Sequence, residues 1–223
     1  MARAFGEMLP FALVVALSPI PMVAVIAVLF SRRAIGNGVA FVLGWIVGVA
    51  GGLALLTALA STQDLGSEGT SSTAGTLLRF VLGVLSLAAA ARKWRGRPEP
   101  GQEVPMPRWM ERVDGLHPGG VFVLALLLGS VNPKNLLMNI AAAAVLASAS
   151  LRTTDAATVI VLYTAVASST VTLAVLYRVL RGERAAATLE RMRGWLIANN
   201  ATVMSVLFLV FGVKLVGDAI SGL

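Results

Sequence analysis

Two long apolar segments of the chain are broken by proline, at Ser18-Pro19-Ile20-Pro21 and at Asn132-Pro133-Lys134-Asn135. Proline lacks a backbone N–H and its ring clashes with the preceding turn, so a helix opens where proline lies in its interior. Lipid cannot satisfy the backbone groups that such an opening exposes. Breaks of this kind survive where they line a cavity, and paired breaks in two related halves indicate the binding site of a transporter.

The composition around these breaks is that of an integral membrane protein. Of the 223 residues, 57% are hydrophobic and 13% are charged, whereas a soluble domain carries about 25% charged residues. One crossing needs about 20 apolar residues. The apolar residues form six runs that meet this length: 5–30, 37–61, 74–92, 119–149, 155–179 and 198–220. The sequence therefore predicts an all-α integral membrane protein with six transmembrane helices.

The six runs divide into two sets of three, 1–92 and 119–223, joined by a proline-rich linker at 93–118. Because each set has an odd number of helices, the second set enters the membrane inverted relative to the first. Both sets start with a broken helix, and both end in a similar stretch, Phe80-Val-Leu-Gly83 and Leu209-Val-Phe-Gly212. We expect two inverted three-helix repeats, with helices 1 and 4 broken by proline.

Basic residues predict the orientation of these helices. The first, third and fifth connections hold 13 of the 18 Lys and Arg residues: Arg32, Arg33, Arg92, Lys93, Arg95, Arg97, Arg108, Arg112, Arg178, Arg181, Arg184, Arg191 and Arg193. Because cytoplasmic loops are enriched in Lys and Arg, we expect these connections in the cytoplasm and both termini outside it. The apolar stretch after Arg3 continues through Phe30, so we expect a retained first helix rather than a signal peptide.

A glycine stripe marks the second run, where Gly44, Gly48 and Gly52 recur every four residues. Such a stripe lets another helix approach closely, so it predicts helix packing within the chain or against a second copy. A substrate groove is the alternative interpretation.

The scarcity of ionisable groups in the runs restricts the chemistry. No run carries a carboxylate near its centre, the chain has no cysteine, and its one histidine, His117, lies in a polar loop. Metal sites need acidic oxygen, imidazole or thiolate ligands. We therefore expect no metal, no cofactor and no enzymatic activity. Nucleic acid is not an expected partner, because the basic residues flank membrane spans.

Lys134 is the clear charged group at membrane depth, where a lysine faces a cavity or a partner. Amides lie next to it, and the helices that restart after the two breaks point N–H groups and the positive end of their dipoles at the same place. We predict a site for phosphate, sulfate or carboxylate, formed by Ser18, Pro19, Pro21, Asn132, Pro133, Lys134, Asn135 and Asn139.

Structural roles for the same residues stay open. Lys134 could neutralise backbone carbonyls that lose their helical donors at the proline breaks, and Asn132 and Asn135 could cap the broken helix. The stretch from Ser18 to Pro21 could be a simple kink.

The paired breaks resemble the signatures of the lysine exporter (LysE) superfamily over nearly the whole chain. More specifically, three stretches resemble its GAP and sulfolipid-addressing (Sap) branch: Ala16-Leu-Ser-Pro-Ile-Pro, Arg32-Arg33-Ala-Ile-Gly-Asn-Gly and Gly129-Ser-Val-Asn-Pro-Lys-Asn. Amino-acid exporters of the superfamily usually read Ser-Pro-Gly-Pro at the first break, and here Ile20 replaces that glycine.

The resemblance implies a lipid or glycolipid exporter in a plasma membrane. With Lys134 as the group that binds an anionic head, our leading hypothesis is a transporter in a bacterial plasma membrane that exports an anionic lipid or glycolipid, or its precursor, by alternating access. An amino-acid exporter, with a small anionic substrate at the same site, is a second hypothesis. A non-transporting subunit of a lipid-export complex is a third. Membrane lipids are expected partners, and the sequence leaves open a homodimer and association with lipid-export machinery.

Overall fold

The computed structural model describes residues 1–62, 73–98 and 115–221. Within these ranges the chain forms helices and no strand: α1 (Ala2–Ala16), α2 (Pro19–Leu29), α3 (Ala34–Thr62), α4 (Thr73–Arg95), α5 (Pro118–Ser130), α6 (Pro133–Ser148), α7 (Thr153–Arg181), a 3₁₀ turn (Gly182–Ala185) and α8 (Ala186–Ile220). The predicted all-α class is confirmed. Most of the linker 93–118, including Arg108 and Arg112, lies outside the described residues.

The two breaks lie where the sequence predicts them. The axes of α1 and α2 meet at 50° and those of α5 and α6 meet at 56°. In both pairs a proline, Pro19 or Pro133, occupies the first position of the second helix. Its missing N–H has no intrahelical acceptor there, and its fixed φ suits the first turn. Proline therefore ends one helix and starts the next.

Two helical stretches, Ala34–Ser61 and Thr153–Ile220, are apolar and long enough to cross a membrane, and each bent pair adds one candidate span. The second stretch folds back on itself at Gly182, whose φ is 55°. Tyr177 Oη lies 3.4 Å from Thr188 Oγ1, although eleven residues of straight helix span about 16 Å. The described residues thus contain between two and four candidate spans, and the count of six stays a prediction.

Apolar side chains cover both the inside and the outside of the helix assembly. In α2 every residue except Ile20 is buried, which makes α2 the central helix, because a helix that is apolar all round belongs in a core. Outward faces of α3, α7 and α8 expose Leu43, Leu55, Leu173 and Val210 among others. Exposed apolar surface on this scale suits hydrocarbon rather than water, so the protein is membrane-embedded.

The glycine stripe of α3 packs within the chain. A Cβ at Gly44 would lie 2.2 Å from the Phe122 carbonyl oxygen, and one at Gly48 would lie 2.5 Å from that of Leu126. The backbones of α3 and α5 therefore touch, which confirms the expected close packing. The third glycine, Gly52, instead faces Asn139, whose Nδ2 would lie 3.5 Å from an added Cβ.

The similar stretches that end the two halves meet each other. A Cβ at Gly83 of α4 would lie 3.1 Å from the carbonyl oxygen of Gly212 in α8. A Cβ at Gly212 would lie 3.0 Å from the carbonyl oxygen of Gly83. The contact is therefore reciprocal.

We predict that Gly44→Ala and Gly51→Ala change stability in opposite directions. The first substitution pushes a methyl group into the backbone of α5 and should cost about 1–3 kcal/mol. The second lies in the same helix with nothing within 4 Å of its added Cβ, and should stabilise by up to about 1 kcal/mol through helix propensity. Thermal unfolding in detergent measures both, and equal shifts for the two variants would contradict the α3–α5 contact.

Candidate functional site

The first break frees backbone carbonyls that a continuous helix would satisfy. In an α-helix each carbonyl accepts a hydrogen bond from the N–H four residues later. Pro19 has no N–H to donate to the Val15 carbonyl. The N–H of Ser18, which would normally pair with Val14, donates to the Val15 carbonyl instead, at 3.3 Å. The carbonyl of Val14 is therefore left without its usual donor.

Lys134 supplies the missing donor. Its Nζ donates a hydrogen bond to the Val14 carbonyl oxygen at 2.5 Å, across 120 residues of sequence. Lys134 is only 7% exposed, and no described carboxylate forms an ion pair with it. The contact therefore joins the start of α6, at the second break, to the end of α1, at the first. The proposed neutralising role of Lys134 matches this geometry, and its role in anion binding stays a prediction.

A second donor reaches the same break from α7. Thr170 Oγ1 donates a hydrogen bond to the Ala16 carbonyl oxygen at 2.6 Å. Sequence reasoning missed Thr170. A hydroxyl inside an apolar run could have marked Thr170 as a candidate donor, because the proline breaks leave carbonyls that need donors. It does not indicate which carbonyl the hydroxyl contacts.

The second break is satisfied locally by its asparagines. Asn132 Oδ1 accepts from the backbone N–H of Lys134 at 3.1 Å, which caps α6. Asn135 Nδ2 donates to the Leu128 carbonyl oxygen at 2.9 Å; that carbonyl would otherwise pair with the N–H of Asn132. The capping roles that the sequence left open for both asparagines match this geometry.

Asn139 lies deeper in α6 and contacts α7. Its side chain is fully buried, and its Oδ1 accepts a hydrogen bond from Tyr163 Oη at 3.1 Å. Sequence reasoning missed Tyr163, which is buried in the middle of an apolar run. The pair ties α6 to α7 next to the glycine stripe of α3.

Several buried polar atoms on α6 and α7 have no hydrogen-bond partner in the described part of the protein. They are Asn135 Oδ1, Asn139 Nδ2, Thr164 Oγ1 and Ser168 Oγ. An unsatisfied buried polar group costs about 1–3 kcal/mol, and native proteins retain few of them. Two of these atoms belong to α6 and two to α7.

The starts of α2 and α6 offer fewer free backbone N–H groups than ordinary helix starts, because proline occupies the first position of both. Pro19 and Pro21 occupy two of the first three positions of α2, so Ile20 supplies the one N–H there. In α6 the N–H of Lys134 is already bonded to Asn132. Ser18 is buried at the start of α2 and makes no capping hydrogen bond. The charge of Lys134 is therefore the main attraction that the site offers to an anion.

No carboxylate or imidazole of the described residues takes part in this site. The described ranges contain no group of three or more His, Asp or Glu residues able to hold a metal ion. Lys214, the other lysine near a helix end, pairs with Asp218 at 2.5 Å. His117 Nδ1 accepts from the N–H of Gly120 at 3.1 Å and so caps α5.

We predict that Thr170→Val lowers the free energy of unfolding by about 1–3 kcal/mol, because it leaves the Ala16 carbonyl without a donor. Thr172→Val is the matched control, since Thr172 is exposed on the same helix and should tolerate the change. Thermal unfolding of the purified variants in one detergent measures the difference. Indistinguishable melting temperatures would show that the Thr170 hydrogen bond does not stabilise the break.

Comparison with protein families gives one match that covers the helix breaks and all candidate residues. The family described as Sap, sulfolipid-1-addressing protein, matches residues 8–221. Comparisons with curated proteins and with solved structures give no significant match. The family match agrees with the branch that the sequence motifs resemble. This membrane-embedded chain belongs to the sulfolipid-1-addressing protein (Sap) family.

Proposed function

We propose that this protein exports an anionic lipid or glycolipid, or its precursor, across a bacterial plasma membrane by alternating access. The observation that carries the proposal is the hydrogen bond from Lys134 Nζ to the Val14 carbonyl. It joins two broken helices through a buried cation that has no carboxylate partner among the described residues. The family is named for sulfolipid addressing, and a sulfolipid is an anionic amphiphile.

The proposed framework is a pair of inverted three-helix repeats with six crossings: α1 with α2, α3, α4, α5 with α6, α7, and α8. The order of elements supports it, because each half has a bent pair followed by a helix of 29 residues. Packing supports it too, since α3 packs on α5 and α7 packs on α1. The reciprocal contact of Gly83 and Gly212 is what a pseudo-twofold axis between α4 and α8 would produce.

Lys134 links binding to movement in this proposal. A buried ammonium is costly unless it is paired, and one carbonyl is a weaker partner than an anion, because charge-assisted hydrogen bonds are roughly twice as strong as neutral ones. A sulfate, phosphate or carboxylate group that reaches Lys134 would draw Nζ away from Val14. The carbonyl at the first break would then need another donor, and the contact between the two breaks would loosen.

The surroundings of the breaks favour an amphiphile over a small polar substrate. Leu17 and Val131 occupy the connections inside the two bent pairs and are 52% and 56% exposed, and Ile20 is 41% exposed. Apolar side chains thus extend from each break to the outer surface, where an acyl chain could lie. The unpartnered amide and hydroxyl atoms of α6 and α7 offer hydrogen bonds to the hydroxyl groups of a sugar.

We predict that Lys134→Gln strongly slows transport while preserving the fold. Glutamine keeps an N–H donor that can serve the Val14 carbonyl but carries no charge. The rate should fall about tenfold or more, because hydrogen bonds to charged groups contribute about 1.5–3 kcal/mol. Leaflet exchange of a fluorescent sulfated galactolipid in proteoliposomes measures the rate, with the unsulfated galactolipid as the probe control. Lys214→Met is the matched variant, since Lys214 pairs with Asp218 and should leave transport unchanged.

Leaflet exchange and amino-acid counterflow, measured on the same proteoliposomes, separate the three hypotheses. Normal transport by Lys134→Gln would make the lysine purely structural. Amino-acid counterflow without lipid exchange would favour an amino-acid exporter. If the wild-type protein moves neither class of substrate, the proposal fails in favour of a non-transporting subunit.

The cysteine-free sequence allows a direct test of the orientation. We predict that Thr154→Cys reacts with a membrane-impermeant maleimide in intact bacteria, whereas Arg95→Cys reacts only after the membrane is permeabilised. Both positions are exposed, and they lie on opposite sides in the six-crossing arrangement. Equal labelling of the two variants in intact cells would contradict that arrangement.

A further inference from the structure

A surface pocket of about 440 Å³ opens between the α2–α3 turn and the α7–α8 turn. Its lining comes from residues 31–36 on one side and from residues 178, 179, 182 and 183 on the other. The length of α2, about 16 Å for its 11 residues, separates this pocket from the first break. It is therefore distinct from the site around Lys134.

Positive charge dominates the lining of this pocket. Three arginines, Arg32, Arg33 and Arg178, line it together with one acidic residue, Glu183. The side chain of Arg178 is 13% exposed, and it pairs with Glu183 at 2.6 Å and donates to the Gly182 carbonyl. Arg32 and Arg33 are exposed, and neither forms an ion pair within the part of the chain that the structure covers. Two positive charges are thus available to a ligand.

The start of α3 adds backbone donors to the arginines. Ala34, Ile35 and Gly36 line the pocket and form the first turn of a 29-residue helix. N–H groups in a first turn have no intrahelical acceptor and lie at the positive end of the helix dipole. Arginine forks combined with such N–H groups match the oxygens of phosphate or sulfate.

The shape of this pocket is held by a buried asparagine. Asn37 Nδ2 donates to Ser31 Oγ at 2.9 Å and to the Leu116 carbonyl at 3.2 Å. Ser31 Oγ in turn donates to the Val28 carbonyl at 2.7 Å. These bonds fix the α2–α3 turn against the segment before α5, so Arg32 and Arg33 project from a braced backbone.

We propose that this pocket binds the phosphate or sulfate group of an anion at the membrane surface. The exposed apolar side chains of Ile35 and Val179 line the same pocket. An anionic lipid therefore fits the surroundings, with its headgroup on the arginines and its acyl chains along the outer surfaces of α3 and α7. A free oxyanion offers the same headgroup chemistry without the acyl contact.

Equilibrium binding to the full-length protein in detergent tests this proposal. The lipid probe is dioctanoylphosphatidylglycerol, and the free-anion probes are inorganic phosphate and sulfate. The double variant Arg32→Gln/Arg33→Gln removes two charges from the pocket. Arg95→Gln/Arg97→Gln removes two exposed charges at the end of α4 and is the matched control. Titration calorimetry should show affinity for the lipid falling about tenfold or more in the pocket variant, and less than about twofold in the control.

Each result has a defined meaning. Selective loss of phosphatidylglycerol binding supports the pocket with a lipid as its ligand, and selective loss of phosphate or sulfate binding supports it with a free anion. Equal losses of affinity in the two double variants would attribute the effect to general surface charge and overturn the proposal. Failure of all three probes to bind the wild-type protein would also overturn it. No flux is measured, so failure here is independent of the transport proposal.

Discussion

The hydrogen bond from Lys134 to the Val14 carbonyl is the contact that joins the two helix breaks. A carbonyl that has lost its helical donor is costly to leave unsatisfied within a membrane, because lipid offers it no hydrogen bond. The donor comes from a lysine 120 residues away, at the start of the helix that follows the second break. The carbonyls at the first break therefore receive hydrogen bonds from the second half of the chain. Thr170 of α7 supplies another of these bonds, to the Ala16 carbonyl.

The same contact explains why a lysine can be buried here at all. An ammonium group without a carboxylate partner is costly to bury in a membrane protein, and here its hydrogen-bond partner is the Val14 carbonyl. In the proposed mechanism an anion is a stronger partner than this carbonyl and takes its place on the amine. The contact between the two breaks and the binding of an anion would then depend on the same atom, Nζ of Lys134. The Arg32–Arg33 pocket, for which we propose binding of surface anions, lies apart from this junction.

Much of this could be predicted from sequence, because proline acts locally. Pro19 and Pro133 specify a helix end and a helix start by their own covalent structure, and Asn132 and Asn135 lie within reach of the groups they satisfy. The glycine stripe predicted close packing, but its partner α5 depends on topology. The roles of Thr170 and Tyr163 were not predictable for the same reason, since a hydroxyl in an apolar run gives no sign of which distant carbonyl or amide it will meet. The pairing of Lys134 with Val14 likewise required the two halves to be placed together.

A structure of the protein with a short-chain sulfated glycolipid bound tests the central claim most directly. The distance from Lys134 Nζ to the Val14 carbonyl oxygen is the quantity to measure. We predict that a sulfate oxygen takes the place of this carbonyl on Nζ, with the two breaks farther apart than in the present structure. A bound glycolipid elsewhere on the protein, with the Lys134–Val14 hydrogen bond intact, would contradict the claim.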